Sequence, residues 1–291
     1  MLKKVSFGII LPLLLLSLAS AGEGSGPGTT GANFLKMGVG ARAAAMGGAF
    51  TALANDATAL YWNPAGLAQL NETELSATYN SWFQGVSQGY FSMATPAFGG
   101  TFALGINYVD MGRLEGRNSE GEATGNFSAS DIHTSCGIAF GEKFMFGFSG
   151  GVLRDTIDES TETAFLATGG ILFKPTEQVA LGIVYQNVGQ KLGESPLPAT
   201  LRGGLALEIG NITLALDMVS PNDNDTYFCG GVEVSLGSLL VVRGGYTTGQ
   251  DEGEGYSAGI GFRSSTLGVD YAYVPYGDLG DTHRISLAMR W

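Results

Sequence analysis

Residues 101–109, Thr-Phe-Ala-Leu-Gly-Ile-Asn-Tyr-Val, decide the fold class of this 291-residue chain. Large apolar residues occupy every second position of the stretch, and small or polar residues fill the others, which is the period-2 pattern of a β-strand. The same pattern recurs along the chain and predicts 14 strands, beginning near residues 74, 88, 101, 130, 143, 164, 179, 199, 211, 226, 239, 256, 266 and 283. An even number of strands suits a closed antiparallel sheet.

The connections between the predicted strands alternate between long and short, as they do in bacterial outer-membrane barrels. The long ones cover residues 110–128, 155–163, 189–198, 220–226, 249–255 and 276–282. They carry three basic residues and 16 acidic ones, so one rim is predicted to be strongly negative. The basic residues are Arg113, Arg117 and Lys191, and the acidic ones are Asp110, Glu115, Glu120, Glu122, Asp155, Asp158, Glu159, Glu162, Glu194, Asp223, Asp225, Asp251, Glu252, Glu254, Asp278 and Asp281. If the N-terminus is periplasmic, this rim faces the cell exterior.

A soluble β-sandwich is the alternative, since it also consists of short alternating strands. Its water-facing side would carry frequent charges, whereas the non-apolar face here is mostly Gly, Ala, Ser and Thr, which suits a crowded lumen. The last strand ends in the aromatic Trp291 and resembles the signal that the outer-membrane assembly machinery reads. The sequence therefore predicts an all-β fold, a 14-stranded antiparallel transmembrane β-barrel over residues 71–291, in contact with lipid of the bacterial outer membrane.

Residues 1–21 have the features of a cleaved export signal peptide. Lys3 and Lys4 precede an apolar run from Val5 to Leu18, and the small residues 19–21 form the cleavage pattern. A membrane anchor is the alternative, but the run is shorter than the roughly 20 residues that a helical span requires.

Residues 22–70 are predicted to form a plug, or hatch, with short helices inside the barrel. The stretch lacks alternation, and both Asn55-Asp56 and Asn63-Pro64 are helix-start signals. A lumen enclosed by 14 strands is too wide for wall side chains alone to fill. A disordered periplasmic tail is the alternative, but it would leave too many large apolar residues in water.

Charged residues fall on the predicted inner face of the barrel. Four lie on consecutive strands, and two lie on the last two strands: Arg202, Asp217, Glu233, Arg243, Asp270 and Arg284. One hypothesis is that they neutralise each other across the sheet and hold Arg42 or Asp56 of the plug. A substrate or ion path is the second, less favoured hypothesis. The Asp-rich segment Pro221–Thr226 is interpreted as solvated loop charge, because it lacks the Gly and Glu spacing of a calcium loop.

Composition and spacing argue against several classes of function. A net charge of -12 disfavours nucleic acid as a partner, because phosphates require a basic surface. The two cysteines and two histidines are scattered, so no metal site, cofactor or catalytic residue is predicted and the chain is not expected to be an enzyme. His133 is expected to be a satisfied lumen histidine. Cys136 and Cys229 are expected on opposite faces, which disfavours a disulfide.

The chain resembles PorV/PorQ-type outer-membrane proteins. The N-terminal stretches that carry the resemblance are Phe34–Arg42, Ala45–Phe50, Asp56 and Tyr61–Ala68, and the later ones are Gln186–Gly189, Leu197-Pro198, Leu201–Gly204, Leu216-Asp217, Arg243–Tyr246, Val269–Ala272 and Gly280–Leu287. Together they span nearly all of the chain after the signal. The Asn63-Pro64-Ala65 element is shared with the wider FadL group of hydrophobic-compound transporters.

The resemblance implies a FadL-like barrel with an N-terminal hatch. PorV-like members work in type IX secretion, where the barrel receives exported proteins that bear a C-terminal sorting domain and presents them to a surface attachment complex. It therefore implies protein binding, with those proteins and other secretion subunits as partners. The alternative is a FadL-like passive channel whose hatch shifts to admit a lipophilic molecule.

The acidic long connections, short of clustered aromatic residues, favour protein handling over this channel. The candidate binding residues of hatch and lumen are Arg42, Asp56, Asn63, Pro64, Ala65, Arg202, Asp217, Glu233, Arg243 and Asp270.

Overall fold

Fourteen antiparallel strands close into a barrel in the computed structural model of the protein, which describes residues 26–97 and 99–291. Each strand pairs with its sequence neighbours, and the first strand pairs with the last. The strands are β1 (Glu74–Ser81), β2 (Ser87–Ala97), β3 (Gly100–Arg117), β4 (Ala123–Gly141), β5 (Phe144–Ile157), β6 (Ser160–Thr176), β7 (Val179–Gly189), β8 (Thr200–Ile209), β9 (Ile212–Pro221), β10 (Tyr227–Leu236), β11 (Leu240–Thr247), β12 (Tyr256–Arg263), β13 (Leu267–Pro275) and β14 (Asp281–Arg290). The predicted 14-stranded barrel is confirmed. The predicted export signal, residues 1–21, lies outside the described residues.

Most strands begin within two residues of the predicted positions, but β4 and β6 begin earlier. Residues 110–128, predicted as one long connection, are mainly a hairpin: β3 continues to Arg117 and only residues 118–122 connect it to β4. A register shift lies between Asp110 and Arg113 in β3. Residues 155–163 likewise belong mostly to β5 and β6. These strand ends were missed because the hairpins are polar and a bulge interrupts the alternation.

The alternation places large apolar side chains on the outside of the barrel. Phe148 and Leu216, for example, leave 63% and 54% of their surface exposed. Small or polar residues face the lumen, among them Ala94, Ala103 and Ala139. The outer surface is therefore the apolar side of the sheet, the reverse of a water-soluble barrel. Among the described residues, no helix is both long and apolar enough to cross a membrane.

Residues 33–69, here called the plug segment, fill the lumen. The segment contains two α-helices, Ala41–Ala45 and Ala59–Trp62, and two 3₁₀ helices, Asn33–Lys36 and Pro64–Gln69. Met46, Ala49 and Phe50 have no exposed surface and share one hydrophobic core with the small inward residues of the wall. Two further 3₁₀ turns, Phe83–Gly85 and Gly277–Leu279, lie outside the lumen in connections between strands.

Glycines in the wall allow the plug segment to approach the sheet closely. A Cβ added at Gly147 of β5 would collide with the backbone of Pro64 and Ala65, and one at Gly170 of β6 would collide with the Asn63 side chain. The 3₁₀ helix Pro64–Gln69 therefore packs directly on the backbone of these strands, where any side chain would push it away.

Candidate functional site

The Asn63-Pro64-Ala65 element joins the plug segment to the wall. The Asn63 side-chain oxygen accepts a hydrogen bond from the Ala65 N–H at 3.2 Å, and Pro64 occupies the first helical position. Asn63 Nδ2 donates to the carbonyl oxygens of Thr51, at 2.9 Å, and Ile171, at 3.3 Å. The side chain is fully buried. It therefore caps a helix and crosslinks two parts of the plug segment to β6.

Asp217 and Arg202 form a second attachment, on β8 and β9. Asp217 Oδ2 accepts hydrogen bonds from the Phe50 and Thr51 N–H groups, both at 3.0 Å, and from the Thr51 hydroxyl at 2.6 Å. Arg202 Nη2 donates to the same oxygen at 3.1 Å. The Arg202 guanidinium also lies 4.9 Å from the centroid of the Trp62 ring. Wall charges thus satisfy backbone groups of the plug segment that water cannot reach.

Arg42 forms a third attachment, on β10. Its guanidinium donates to both carboxylate oxygens of Glu233, at 2.9 and 3.1 Å. Glu233 also accepts from Arg243 of β11 at 2.6 Å, and Arg243 pairs with Asp270 of β13 at 2.6 Å. Asp56 lies 3.5 Å from Arg42. The five residues form one chain of alternating charge, buried at Arg42, Glu233 and Arg243 and partly buried at its two ends, Asp56 and Asp270.

Glycine lets this charge chain cross a strand. Arg243 and Asp270 are separated by β12, and a Cβ at Gly261 of β12 would overlap atoms of both side chains. The structure therefore brings the predicted residues together in three groups: Asn63 to Ala65, Arg202 with Asp217, and Arg42 with Asp56, Glu233, Arg243 and Asp270. In each group, wall residues bond to the plug segment.

Arg284 differs from the other buried arginines. Within residues 26–97 and 99–291, four arginines are buried, Arg42, Arg202, Arg243 and Arg284, and only Arg284 has no carboxylate within 4 Å. It donates to the carbonyl oxygens of Met37, at 2.9 Å, and Gly38, at 3.4 Å. Its Nε has no partner. Sequence reasoning placed Arg284 on the inner face beside Asp270 but missed that Arg243 occupies that carboxylate.

A cavity of about 340 Å³ opens above the plug segment, at the end of the barrel that carries the acidic connections, here called the loop end. Apolar and aromatic residues line it, together with three cationic side chains: Trp62, Phe83, Tyr276, Lys36, Arg202 and Arg284. Gly47 and Gly48 of the plug segment also border it. The cavity therefore combines aromatic surface with positive charge.

An aromatic cluster stands beside this cavity. The rings of Trp82, Phe83 and Tyr276 contact one another, with centroids 5.0 to 5.4 Å apart. The sequence did not predict this cluster, because Trp82 and Phe83 follow β1 in a connection outside the predicted long set, and only the closed barrel brings Tyr276 to them.

Asp223 is buried, which corrects the interpretation of segment 221–226 as solvated charge. Its carboxylate accepts hydrogen bonds from Lys36 Nζ at 2.6 Å and from the Thr30 hydroxyl at 2.5 Å. Burial disfavours the charged carboxylate, but the bonds from Lys36 and Thr30 outweigh burial and hold its pKa below the ordinary value. The connection between β9 and β10 therefore holds the start of the plug segment.

Of the other residues singled out from the sequence, His133 and Cys136 lie apart from the cavity and Cys229 borders it. His133 faces the lumen, but its Nε2 has no hydrogen-bond partner, so the expectation of a satisfied histidine is wrong. Cys136 is exposed on the outer face, whereas Cys229 is buried and borders the cavity. No group of three or more His, Cys, Asp or Glu side chains suited to a metal ion occurs in the part of the chain that the structure describes.

Comparison with known proteins relates the chain to a family and to solved barrels. Residues 17–151, less than half of the chain, match an uncharacterised protein family, UPF0164. No curated protein matches the sequence.

Three solved structures share the architecture at low sequence identity. CymD, a monoaromatic hydrocarbon channel, is 14% identical with a TM-score of 0.64, covering 88% of this chain and 98% of that one. The Pseudomonas putida toluene transporter TodX is 13% identical with a TM-score of 0.62, covering 86% and 96%. A Pseudomonas aeruginosa FadL homologue is 13% identical with a TM-score of 0.55, covering 85% and 96%. The chain is therefore similar to UPF0164 over its first part and shares the barrel fold of FadL-like proteins over most of its length.

Proposed function

We propose that this protein is an outer-membrane barrel that binds small lipophilic molecules in the loop-end cavity and passes them inward when the plug segment shifts. The observation that carries the proposal is the cavity itself, which is concave, aromatic on one side and placed directly above the plug segment. The apolar outer surface supports a location in lipid. The channels and the transporter that share the fold are named for toluene or monoaromatic hydrocarbons.

The plug segment gives the barrel a closed state. Three of the attachments described above join it to different parts of the wall, on β6, on β9 and on β10. A molecule in the cavity contacts Trp62 and Gly48, which are bonded to Val39 and Arg202 respectively. Through its contacts with Trp62 and Gly48, a bound ligand would favour the shifted position of the plug segment.

Binding can be measured on the purified full-length barrel in lipid nanodiscs, with 4-tert-butylbenzyl alcohol as a neutral probe and titration calorimetry as the readout. We expect saturable binding to the native protein and a loss of affinity of about tenfold or more in the double variant Phe83→Ala/Tyr276→Ala, because each truncation removes aromatic contact area.

The matched control for this experiment is Phe165→Ala. Phe165 lies on the outer face with 58% of its surface exposed, so its truncation removes a similar ring without touching the cavity. Its affinity should equal that of the native protein. Absence of saturable binding to the native barrel, or equal affinity in all three proteins, would contradict the proposal.

A second function, protein handling in type IX secretion, is favoured by the charge of the loop end. Loop acids such as Glu120, Asp251 and Glu252 are exposed, and a negative rim attracts basic segments of secreted proteins. The discriminating experiment deletes the gene and measures both the surface display of sorting-domain proteins and the uptake of the probe. Lost display with unchanged uptake would favour secretion, and the reverse would favour the channel.

A further inference from the structure

We propose that the ligand of the loop-end cavity is an aromatic molecule with an anionic headgroup, an aromatic carboxylate, whose charge is bound by Arg284. The inference rests on the function proposed above and adds the chemical class of the ligand. A neutral hydrocarbon would use the aromatic lining alone, whereas an aromatic acid uses the lining and the unpaired guanidinium together.

The first argument is the missing counter-ion of Arg284. The side chain has 4% of its surface exposed, yet within the described parts of the chain no carboxylate lies within 4 Å and Nε has no partner. A buried charge without a counter-ion is costly, and the other three buried arginines all avoid that cost through ion pairs. An anion supplied by a ligand would complete the same arrangement at Arg284.

The second argument is that the other charges of the cavity are already engaged or exposed. Lys36 is paired with Asp223 at 2.6 Å, and Arg202 is paired with Asp217 at 3.1 Å. Asp251 and Glu252 border the cavity from the connection between β11 and β12, where they are exposed to solvent. Solvent screens these two acids, whereas the buried Arg284 interacts in a medium of lower polarity. The free positive charge in the cavity is therefore that of Arg284.

The third argument is the aromatic surface around the guanidinium. Arg284 lies 5.5 Å from the centroid of the Trp82 ring, and Phe83 and Tyr276 of the same cluster line the cavity. Aromatic rings pack edge to face or offset on other aromatic rings, and this preference adds to the effect of burial. Trp82 thus lies beside the guanidinium, while Phe83 and Tyr276 line the cavity where a planar ligand would pack.

The experiment compares two probes that differ only in headgroup, 4-tert-butylbenzoate and 4-tert-butylbenzyl alcohol, on the native barrel in nanodiscs at neutral pH. We expect the acid to bind about tenfold more tightly or better, because a hydrogen bond between ionised groups is stronger than a neutral one. In Arg284→Gln, the acid should lose this advantage while the alcohol keeps its affinity. Arg113→Gln, an exposed arginine on β3, is the matched control and should retain the preference for the acid.

Leu279 provides a test that leaves Arg284 in place. It lines the cavity from the exposed turn Gly277–Leu279, so substitution there does not disturb the wall. Leu279→Asp should weaken binding of the acid relative to the isosteric Leu279→Asn, because only Asp adds a repelling charge. The alcohol should bind both variants equally.

The outcomes of these experiments distinguish the anionic-ligand inference from the proposed lipophile-binding function. If both probes bind the native barrel equally well, or if Arg284→Gln and Leu279→Asp leave the acid preference intact, the anionic ligand is excluded and the lipophile-binding function stands. If neither probe binds, the proposed function itself fails. An acid preference that disappears in Arg284→Gln supports the inference, and one that persists there contradicts it. If Arg284→Gln does not fold, weaker binding of the acid to Leu279→Asp than to Leu279→Asn supports the inference, and equal binding contradicts it.

Discussion

Asp217 concentrates four hydrogen bonds on one carboxylate oxygen. Two come from backbone N–H groups of the plug segment, one from the Thr51 hydroxyl and one from Arg202. Because the oxygen and all its donors are buried, the carboxylate replaces solvent for each of them. A single wall residue therefore determines whether residues 50–51 of the plug segment can be buried at all.

Replacing Asp217 by Asn should destabilise the barrel by about 3–5 kcal/mol, because the change leaves the buried Arg202 without its counter-ion. The measurement is urea unfolding of the native and variant proteins in lipid. Asp225→Asn, in an exposed position of the neighbouring connection, should change stability by no more than about 0.5 kcal/mol. Equal effects of the two substitutions would show that Asp217 does not hold the plug segment.

Asp223 makes the attachment near Lys36 dependent on pH. Its pKa in the folded protein is lowered, so its stabilising effect is present above the ordinary value of 3.8 and is lost as the pH falls through the lowered value. Asp223→Asn should therefore lower the melting temperature at pH 7 and have little effect at a pH well below 3.8. A difference in melting temperature that persists unchanged in acid would contradict this assignment.

At the scale of elements, the contact between helix Pro64–Gln69 and strands β5 and β6 depends on residues without side chains. Gly147 and Gly170 present bare backbone to Asn63, Pro64 and Ala65. The helix and the strands therefore interlock at backbone distance, a closeness that Ala would already prevent.

Gly147→Ala should destabilise the protein by about 1–3 kcal/mol, since the added methyl group overlaps the backbone of Pro64 and Ala65 and the helix has to move. Gly150→Ala on the same strand is the matched control, because the nearest atom to its added Cβ is 3.8 Å away. Thermal unfolding and protease sensitivity of residues 33–69 would report the difference. Identical behaviour of the two variants would rule out the close contact.

The sequence predicted strands correctly where the alternation of apolar and lumen-facing residues is the only rule that determines the structure. Strands such as β1 and β12 have an uninterrupted alternation because one face meets apolar surroundings and the other the lumen, and both begin at the predicted residue. The hairpin of β3 and β4 was missed because its polar end leaves the barrel and alternation no longer applies. The Trp82, Phe83 and Tyr276 cluster was missed for a different reason, since β1 and β13 come together only when the barrel closes.

The candidate site residues also divide into those that the alternation predicts and those that it does not. The inner-face position of Glu233 and Arg243 is readable from the alternation of β10 and β11, and their direct pairing follows from the register. The bonding of Arg284 cannot be predicted in this way. Asp270 of the neighbouring strand lies opposite Ser286 in the register, but its carboxylate bonds to Arg243 and not to Arg284. Whether Arg243 or Arg284 binds the Asp270 carboxylate depends on which side chain can extend to it, and Arg243 does so past Gly261.

At the scale of the whole molecule, the outer surface decides where the protein resides. Leu104, near the middle of the barrel wall on β3, has 50% of its surface exposed, and Leu236, the last residue of β10, has 48%. If lipid covers this surface, the same substitution should cost different amounts at the two positions, because the environment changes with depth.

Leu104→Lys should destabilise the barrel by about 2–4 kcal/mol in lipid, and Leu236→Lys by about 0–1 kcal/mol, as expected for the middle and the edge of a bilayer. Unfolding in liposomes and heat-dependent migration on gels would measure both. The native protein should migrate faster before heating than after it. A protein that is freely soluble without detergent, or equal costs at the two positions, would contradict a lipid-embedded barrel.

The attachments of the plug segment set an order of events during biogenesis. Arg42 and Phe50 are synthesised early, but their partners Glu233 and Asp217 follow 191 and 167 positions later. Contacts so distant along the chain form slowly, since much of the chain has to be ordered before they bring any gain. A nascent chain halted before β9 would hold a charged, apolar N-terminal region with nowhere to dock, so chaperones would need to shield that region until the last strands arrive.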